Sequence, residues 1–341
     1  MFKRNRLIGI VPMLLLVLLL AACGNANNAP ENAAAPAGEE TSAPANETSA
    51  SDGGEASGEG ASAKRVFKHA LGETVIPAHP ERVVTLQYVS QMLSVGVKPI
   101  GALDYLLDGQ DPAFQGIEEV GSSESVNYEK ILSLKPDLII AADLEQADYD
   151  KLSKIAPTVS VPWMGYDVFG HVKVVGDILN RQKEAAAWQA GFDEKIKAAK
   201  EQIAGAIGAD KTVAIYRIDP KEFYVYGVRN IGFTLYKALD LKRPALVQQE
   251  IDKDPNLWAI PISLELLPDY GADYAFVTLL PGEDAEKRFE EIKSSALWKN
   301  IPAVKNGHVF QISMDTWLGY TPHDIETQLQ EAVKLLTQPQ P

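Results

Sequence analysis

The chain has 341 residues, a formal net charge of −14 and a single cysteine, Cys23. One cysteine excludes an intramolecular disulfide and any cysteine-built metal cluster, and an acidic chain without a basic stretch argues against nucleic acid as a partner. With the N-terminal region set aside, about 275 residues are left to fold, more than one compact core usually spans and suited to two lobes.

The chain opens with Lys3, Arg4 and Arg6, followed by an almost wholly apolar run from Leu7 to Ala22. The run is short for a membrane span and is interrupted by Pro12, which reads as a processed export signal. It ends in Leu20-Ala21-Ala22-Cys23, which resembles the bacterial lipobox, after which the cysteine is lipidated and becomes the mature N-terminus. The plain alternative is an uncleaved anchor with an unmodified cysteine. From Asn25 to Ala63 there is no aromatic residue and no aliphatic one larger than alanine. Such a segment buries too little apolar surface to offset its ordering entropy and reads as a disordered acidic tether. The divisions are therefore 1–22 signal, 23–65 lipidated cysteine and tether, 66–181 N-terminal lobe, 182–207 connecting helix and 208–338 C-terminal lobe.

In the first lobe, Val66 to Ile76 alternates around a glycine as an edge hairpin. Buried strands are expected at Arg82–Leu86, Pro99–Leu103, Leu138–Ala142 and Thr158–Val161, and helices at Tyr88–Val95, Asp148–Ala156 and Val168–Leu179. Trp163–Tyr166 reads as a loop. In the second lobe, strands are expected at Thr212–Ile218, Glu222–Tyr226, Tyr274–Leu279 and His308–Ile312. Helices are expected at Ile231–Leu239, Pro261–Leu267, Glu283–Lys293 and Pro322–Leu336. Strands alternating with helices at this spacing imply parallel βα units.

Between the halves, Trp188, Phe192, Ile196, Ala199 and Ile203 form one apolar stripe at helical spacing, with charged residues on the other faces. A helix over 182–207 would be roughly 39 Å long, about the width of a small domain. It reads as a strut between lobes rather than a helix lying on one sheet, because the sequence on either side repeats. Val126 to Ile140 matches Ile262 to Phe276 without a gap, setting Glu129 on Glu265 and Asp137 on Asp273. Each copy reads as a short helix with an acidic start, a turn and a buried strand.

Motifs for catalysis are absent from the sequence. There is no Gly-x-Ser-x-Gly elbow, His-Glu-x-x-His, Walker loop or Gly-x-Gly-x-x-Gly fingerprint. His69, His79, His171, His308 and His323 are isolated, and none stands at metal-ligand spacing from another. No catalytic residue and no metal site is assigned.

The lipobox, the polar tether, Asn127 to Ile140, Ile262 to Glu265 and Trp298 to Val309 together resemble the substrate-binding lipoproteins of bacterial ABC importers for ferric siderophores, across essentially all of Val66 to Leu336. These motifs mark the wider helical-backbone group of binding proteins, which also holds haem and cobalamin binders. The resemblance implies an α/β fold of two Rossmann-like lobes with mostly parallel sheets, joined by one long rigid helix with a ligand cleft between them. It also implies that Glu129 and Glu265, one on each lobe, pair with arginines of a dimeric permease. The alternative is that each glutamate only favours a helix N-terminus.

Sites in α/β folds lie beyond the carboxyl ends of strands. This rule nominates Gln87, Tyr88, Tyr105, Trp163 and Tyr166 from the first lobe. From the second it nominates Tyr216, Arg217, Tyr226 and Arg229, together with Trp317 and Tyr320 in the loop after the last strand. Arginine offers a planar fork to chelate oxygens, and aromatic rings cover the apolar backbone of a siderophore. Arg217 and Trp317 lead this set, and several of the tyrosines equally suit packing. Some hydroxamate-binding relatives carry an arginine in the loop that is Gly121–Ser125 here, and this chain has none, which leaves a carboxylate or mixed-type siderophore open.

The sequence therefore reads as a non-catalytic, monomeric receptor, lipid-anchored on the outer face of a Gram-positive-type cell membrane and without a cofactor of its own. It would pass an Fe(III)-siderophore complex to an ABC permease dimer driven by its ATPase, and the strut would limit closure to small motions. Haem or a cobalamin-like corrinoid is the alternative cargo, and an exported lipoprotein enzyme is the alternative class.

Overall fold

The computed structural model describes residues 63–107 and 112–338. The signal segment, Cys23 and the tether up to residue 62 lie outside them. Among the described residues no helix is long and apolar enough to cross a membrane.

The described chain begins as a hairpin of β1 (Lys64–His69) and β2 (Gly72–Pro77), as its alternation predicts. Phe67 and Ile76 face inward and Val66 and Val75 face solvent. The N-terminal sheet then forms from β3 (Val83–Thr85), β4 (Gly101–Ala102), β5 (Glu118–Glu119), β6 (Leu138–Ala142) and β7 (Thr158–Val161). These five strands are all parallel, in the order β5-β4-β3-β6-β7. The inner strands are short apolar runs because helices cover both faces. The edge strand β5 is two exposed glutamates and carries no hydrophobic signal, so the sequence does not announce it. Charge at a sheet edge discourages pairing with other chains.

The C-terminal sheet contains β8 (Val213–Ile218), β9 (Phe223–Tyr226), β10 (Ala259–Ile262), β11 (Tyr274–Leu279) and β12 (Val309–Gln311), in the order β10-β9-β8-β11-β12. Strands β8, β11 and β12 are parallel, whereas β9 and β10 add on antiparallel. The helix expected over Pro261–Leu267 is corrected here. Pro261 sits in the edge strand β10, where a missing N–H is tolerated, and Leu264–Tyr270 winds as 3₁₀ turns around Pro268. The helix expected over Ile231–Leu239 is π-helical from Phe233 to Ala238. A helix at Ala245–Lys253, which buries Val247 and Ile251 four residues apart, was not expected from the sequence.

The strut runs Gln182–Ile207, the bounds its stripe predicts. Ala185 belongs to the apolar core of the first lobe, and Phe192, Ala199, Ile203 and Ile207 to that of the second. Trp188, stacked on Phe192 at 5.6 Å, packs against both. The strut is therefore a shared wall of the two cores, and each lobe stabilises its helical conformation.

The repeat has a structural counterpart at the base of each sheet. Asp137, just before β6, accepts the backbone N–H groups of Glu81 (2.8 Å) and Arg82 (3.0 Å), and Arg82 leads into the central strand β3. Asp273, just before β11, accepts the N–H and hydroxyl of Thr212 (both 2.9 Å), which leads into the central strand β8. Burial opposes ionisation of Asp273, but the Thr212 and Lys211 hydrogen bonds outweigh it and hold the carboxyl below the usual range. Glu129 and Glu265 lie in the first turns of corresponding elements, Tyr128–Leu134 and Leu264–Tyr270, and both are exposed.

Candidate binding cleft

A cavity of about 520 Å³ is lined by residues of both lobes. The N-terminal lobe contributes Gln87, Tyr105 and Trp163, which follow the carboxyl ends of β3, β4 and β7, where open α/β sheets place ligands. Tyr105 Oη donates to Gln87 Oε1 at 2.7 Å, which aligns these two polar groups on one wall. The C-terminal lobe contributes Asn230 and residues 318–321.

Local chain chemistry sets these side chains. Thr321 caps the closing helix Pro322–Thr337 in a reciprocal capping box with Asp324. A Cβ on Gly319 would stand 2.3 Å from Asp324 Cγ, so only glycine lets the loop fold back over this cap. The fold-back buries Tyr320 and turns its ring edge-on to Trp163, 6.1 Å away at 69°. On the opposite side, a Cβ on Gly232 would fall 1.7 Å from the Gly227 carbonyl oxygen. The tight loop between them holds Asn230 at φ 49°, with its amide donating to the Leu318 carbonyl at 2.9 Å.

Below the cavity Trp163 stacks on His171, with centroids 4.4 Å apart at 21°, and Tyr88 lies beneath both. His171 Nε2 stands 3.1 Å from the Trp163 carbonyl, which can only accept, so this nitrogen carries the proton. Nδ1 is buried without a partner among the described residues. Burial first, and then the Arg229 charge, lowers the His171 pKa to about 4. Burial likewise pushes the Tyr88 and Tyr320 hydroxyls above the ordinary tyrosine range, so all three rings are neutral at pH 7.

The cavity lining is aromatic, hydroxyl and amide in character, with no lysine or arginine among the described residues. The carboxylate in this lining, Asp324, is engaged by the Thr321 N–H (2.9 Å) and hydroxyl (2.6 Å).

Of the residues nominated from sequence, Gln87, Tyr105, Trp163 and Tyr320 come together around this cavity. Arg229 lies behind it, reaching the carbonyls of Trp163 and Tyr166. The Tyr166 side chain faces a separate apolar groove along the strut. Four nominees are corrected to core positions. Tyr88 and Tyr216 are fully buried, with their hydroxyls on the carbonyls of Val161 and Tyr270. Tyr226 is fully buried and accepts from Arg217 Nη1. Trp317 ends a short helix, Met314–Trp317, rather than lying in a loop, and its indole N–H donates inward to Glu331 at 2.8 Å. Arg217 alternates with Tyr216 along β8 and so points to the opposite face. There it forms a two-point ion pair with Asp219 and lies over the Tyr224 and Trp258 rings, and it is not among the residues that line the cavity. Sequence reasoning missed Asn230, Thr321 and His323 in the lining. The Thr321-x-x-Asp324 capping signature was readable, but what it caps toward depends on the other lobe.

Comparison with known proteins gives a consistent set of matches. The profile of the family described as periplasmic binding protein matches residues 96–316. The chain is 35% identical over 284 residues to the iron(3+)-hydroxamate-binding protein YxeB of Bacillus subtilis (strain 168), covering 80% of this chain and 86% of that one. It is 34% identical over 334 residues to the iron(3+)-hydroxamate-binding protein FhuD of the same organism, covering 95% of each. Among solved structures it is similar to Staphylococcus aureus SirA complexed with staphyloferrin B, with TM-score 0.69, 29% identity, and coverage of 81% of this chain and 100% of that one.

Proposed function

The chain belongs to the periplasmic binding protein family, and from that membership we propose that it is the extracellular receptor of an ABC importer, capturing a ferric siderophore in the cavity between its lobes. It binds without chemical turnover, as its relatives are binding proteins by name. The observation that carries the reading is the character of the cavity, about 520 Å³ bounded mainly by rings, hydroxyls and amides, with no lysine or arginine lining it among the described residues. Burying an anion without a paired cation is costly, whereas Fe(III) fully chelated by monoanionic hydroxamates has no net charge. The lining therefore favours a neutral hydroxamate chelate over a carboxylate one, in keeping with the names of the two Bacillus relatives. The metal arrives chelated and is cargo, not cofactor.

The test is tryptophan fluorescence of the purified protein, titrated with ferric hydroxamate, ferric citrate-type chelates, haemin and cobalamin. Saturable quenching by the hydroxamate alone supports the reading. Saturation by haemin or cobalamin alone keeps the fold and overturns the cargo.

Delivery to a permease dimer with its ATPase is assigned to Glu129 and Glu265. The matched base contacts of Asp137 and Asp273 support the ungapped repeat on which the pairing of these glutamates rests. Corresponding carboxylates on the two lobes suit a two-fold partner. Glu129→Arg or Glu265→Arg is expected to abolish uptake with siderophore affinity unchanged, and a loss of affinity would remove the docking role. The receptor acts as a monomer held to the membrane through lipidated Cys23.

A further inference from the structure

Arg229 is 3% exposed, and no carboxylate pairs with it among the described residues. Its guanidinium is a permanent cation whose buried charge must be balanced by dipoles and π-density instead. Nη1 donates to the Tyr166 carbonyl at 3.1 Å, Nη2 is 3.4 Å from the Trp163 carbonyl, and the group lies 4.7 Å over the Tyr320 ring. Both carbonyls belong to the N-terminal lobe, while Arg229 and Tyr320 belong to the C-terminal lobe. The cation therefore spans the lobe boundary directly behind Trp163 and Tyr320, the rings that meet at the cavity. Its backbone has little freedom to follow a moving lobe, because the Gly227–Gly232 contact and the left-handed Asn230 fix the loop that presents it.

We infer that Arg229 is a positioning residue, which sets the spacing of the two lobes and through it the orientation of Trp163 and Tyr320, rather than a group that touches the cargo. Moving the lobes apart would exchange both carbonyls for water, and the loss of these two charge-assisted hydrogen bonds opposes opening. The fork geometry is essential, since a lysine ammonium lacks the planar pair of donors that meets two carbonyls at once. The inference rests on the cleft being the ligand site, but its primary readout does not involve a ligand.

The experiment measures the distance between spin labels at Ser133→Cys in one lobe and Ser294→Cys in the other, in the full chain with Cys23→Ser. Arg229→Met is expected to broaden or lengthen the distance distribution of ligand-free protein, with Arg229→Lys intermediate. In stopped-flow with a ferric hydroxamate, dissociation is expected to be about 10- to 100-fold faster in Arg229→Met, with association changed much less. Added guanidinium ion should partly restore the distance in Arg229→Ala. Unchanged distances in folded Arg229→Met and Arg229→Lys proteins would overturn the inference. Weakened affinity with unchanged distances would make Arg229 a direct ligand contact. If Arg229→Met does not fold, Arg229→Lys decides by the same distances. Failure of the unsubstituted protein to bind any ferric chelate would overturn the cleft reading, and the distance measurement would still decide the role of Arg229.

Discussion

His171 and Arg229, one from each lobe, converge on a single acceptor, the carbonyl oxygen of Trp163. That carbonyl has two lone pairs, and the arrangement occupies both with a neutral imidazole and a cation. Protonating His171 would place a second positive charge beside Arg229 in a site packed by the Trp163, Tyr88 and Tyr166 rings, where the Asp167 carboxylate offsets it only in part.

The consequence is a defined acid sensitivity. The folded His171 pKa is lowered to about 4 from 6.5, so between these values the unfolded chain binds the extra proton. Stability from this residue is complete above pH 6.5 and is lost as pH falls toward 4, by about 2–3 kcal/mol at pH 4.5. Urea unfolding of the natural protein and of His171→Phe at pH 7 and 4.5 measures it. The variant should lose less stability on acidification by that amount, and equal losses would remove His171 as the cause.

Asp137 and Asp273 carry matched loads at the bases of the two sheets. Asp137→Ala and Asp273→Ala should each cost about 1–3 kcal/mol by leaving backbone donors without their acceptor. As the sites lie in different lobes, the double variant should show the sum. A cost confined to one of them would contradict the equivalence.

Trp163 and Trp317 should separate cleanly in a ligand titration. Trp163→Phe removes the indole that lines the cavity and should abolish most of the quenching by a bound ferric chelate. Trp317→Phe should keep the quenching and lower stability by about 1–3 kcal/mol, since it thins the core and frees Glu331 from its donor. The reverse pattern would return Trp317 to the cleft.

Cys23→Ser should release the protein from cells into the medium with ligand affinity intact. Fractionation and immunoblotting test this, and retention in the membrane fraction would mean an uncleaved N-terminal anchor.

The strut, most parallel strands and the repeat were legible because their signals are local or periodic: the Trp188–Ile203 stripe, the apolar runs and the Glu129/Glu265 match. The glutamate edge strand and the turns around Pro268 were not, because sheet pairing and packing decide them. The cleft was half legible. Tyr105, Trp163 and Tyr320 were reached by the rule that sites lie beyond strand ends. Trp317 was misplaced because its partner, Glu331, comes from the next helix. Tyr216 and Arg217 show the same limit at finer scale: strand alternation sends these adjacent side chains to opposite faces, but what each face meets is revealed only by the packed sheet.

The entry hairpin has a mechanical consequence. Lys64 pairs with Pro77 at the open end and His69 with Gly72 at the turn, so the incoming chain and the chain leading into the lobe exit side by side. Tension arriving through residue 63 would load the ladder in the peeling direction, one pair at a time, after the Arg65–Asp177 contacts part. Such a pull would reach the parallel sheet at the turn end of the hairpin, where the Ala70 N–H and the Thr74 hydroxyl donate to the Ser160 and Thr158 carbonyls of β7. The hairpin is thus the first element that a pull on residue 63 would load, and β7 the next.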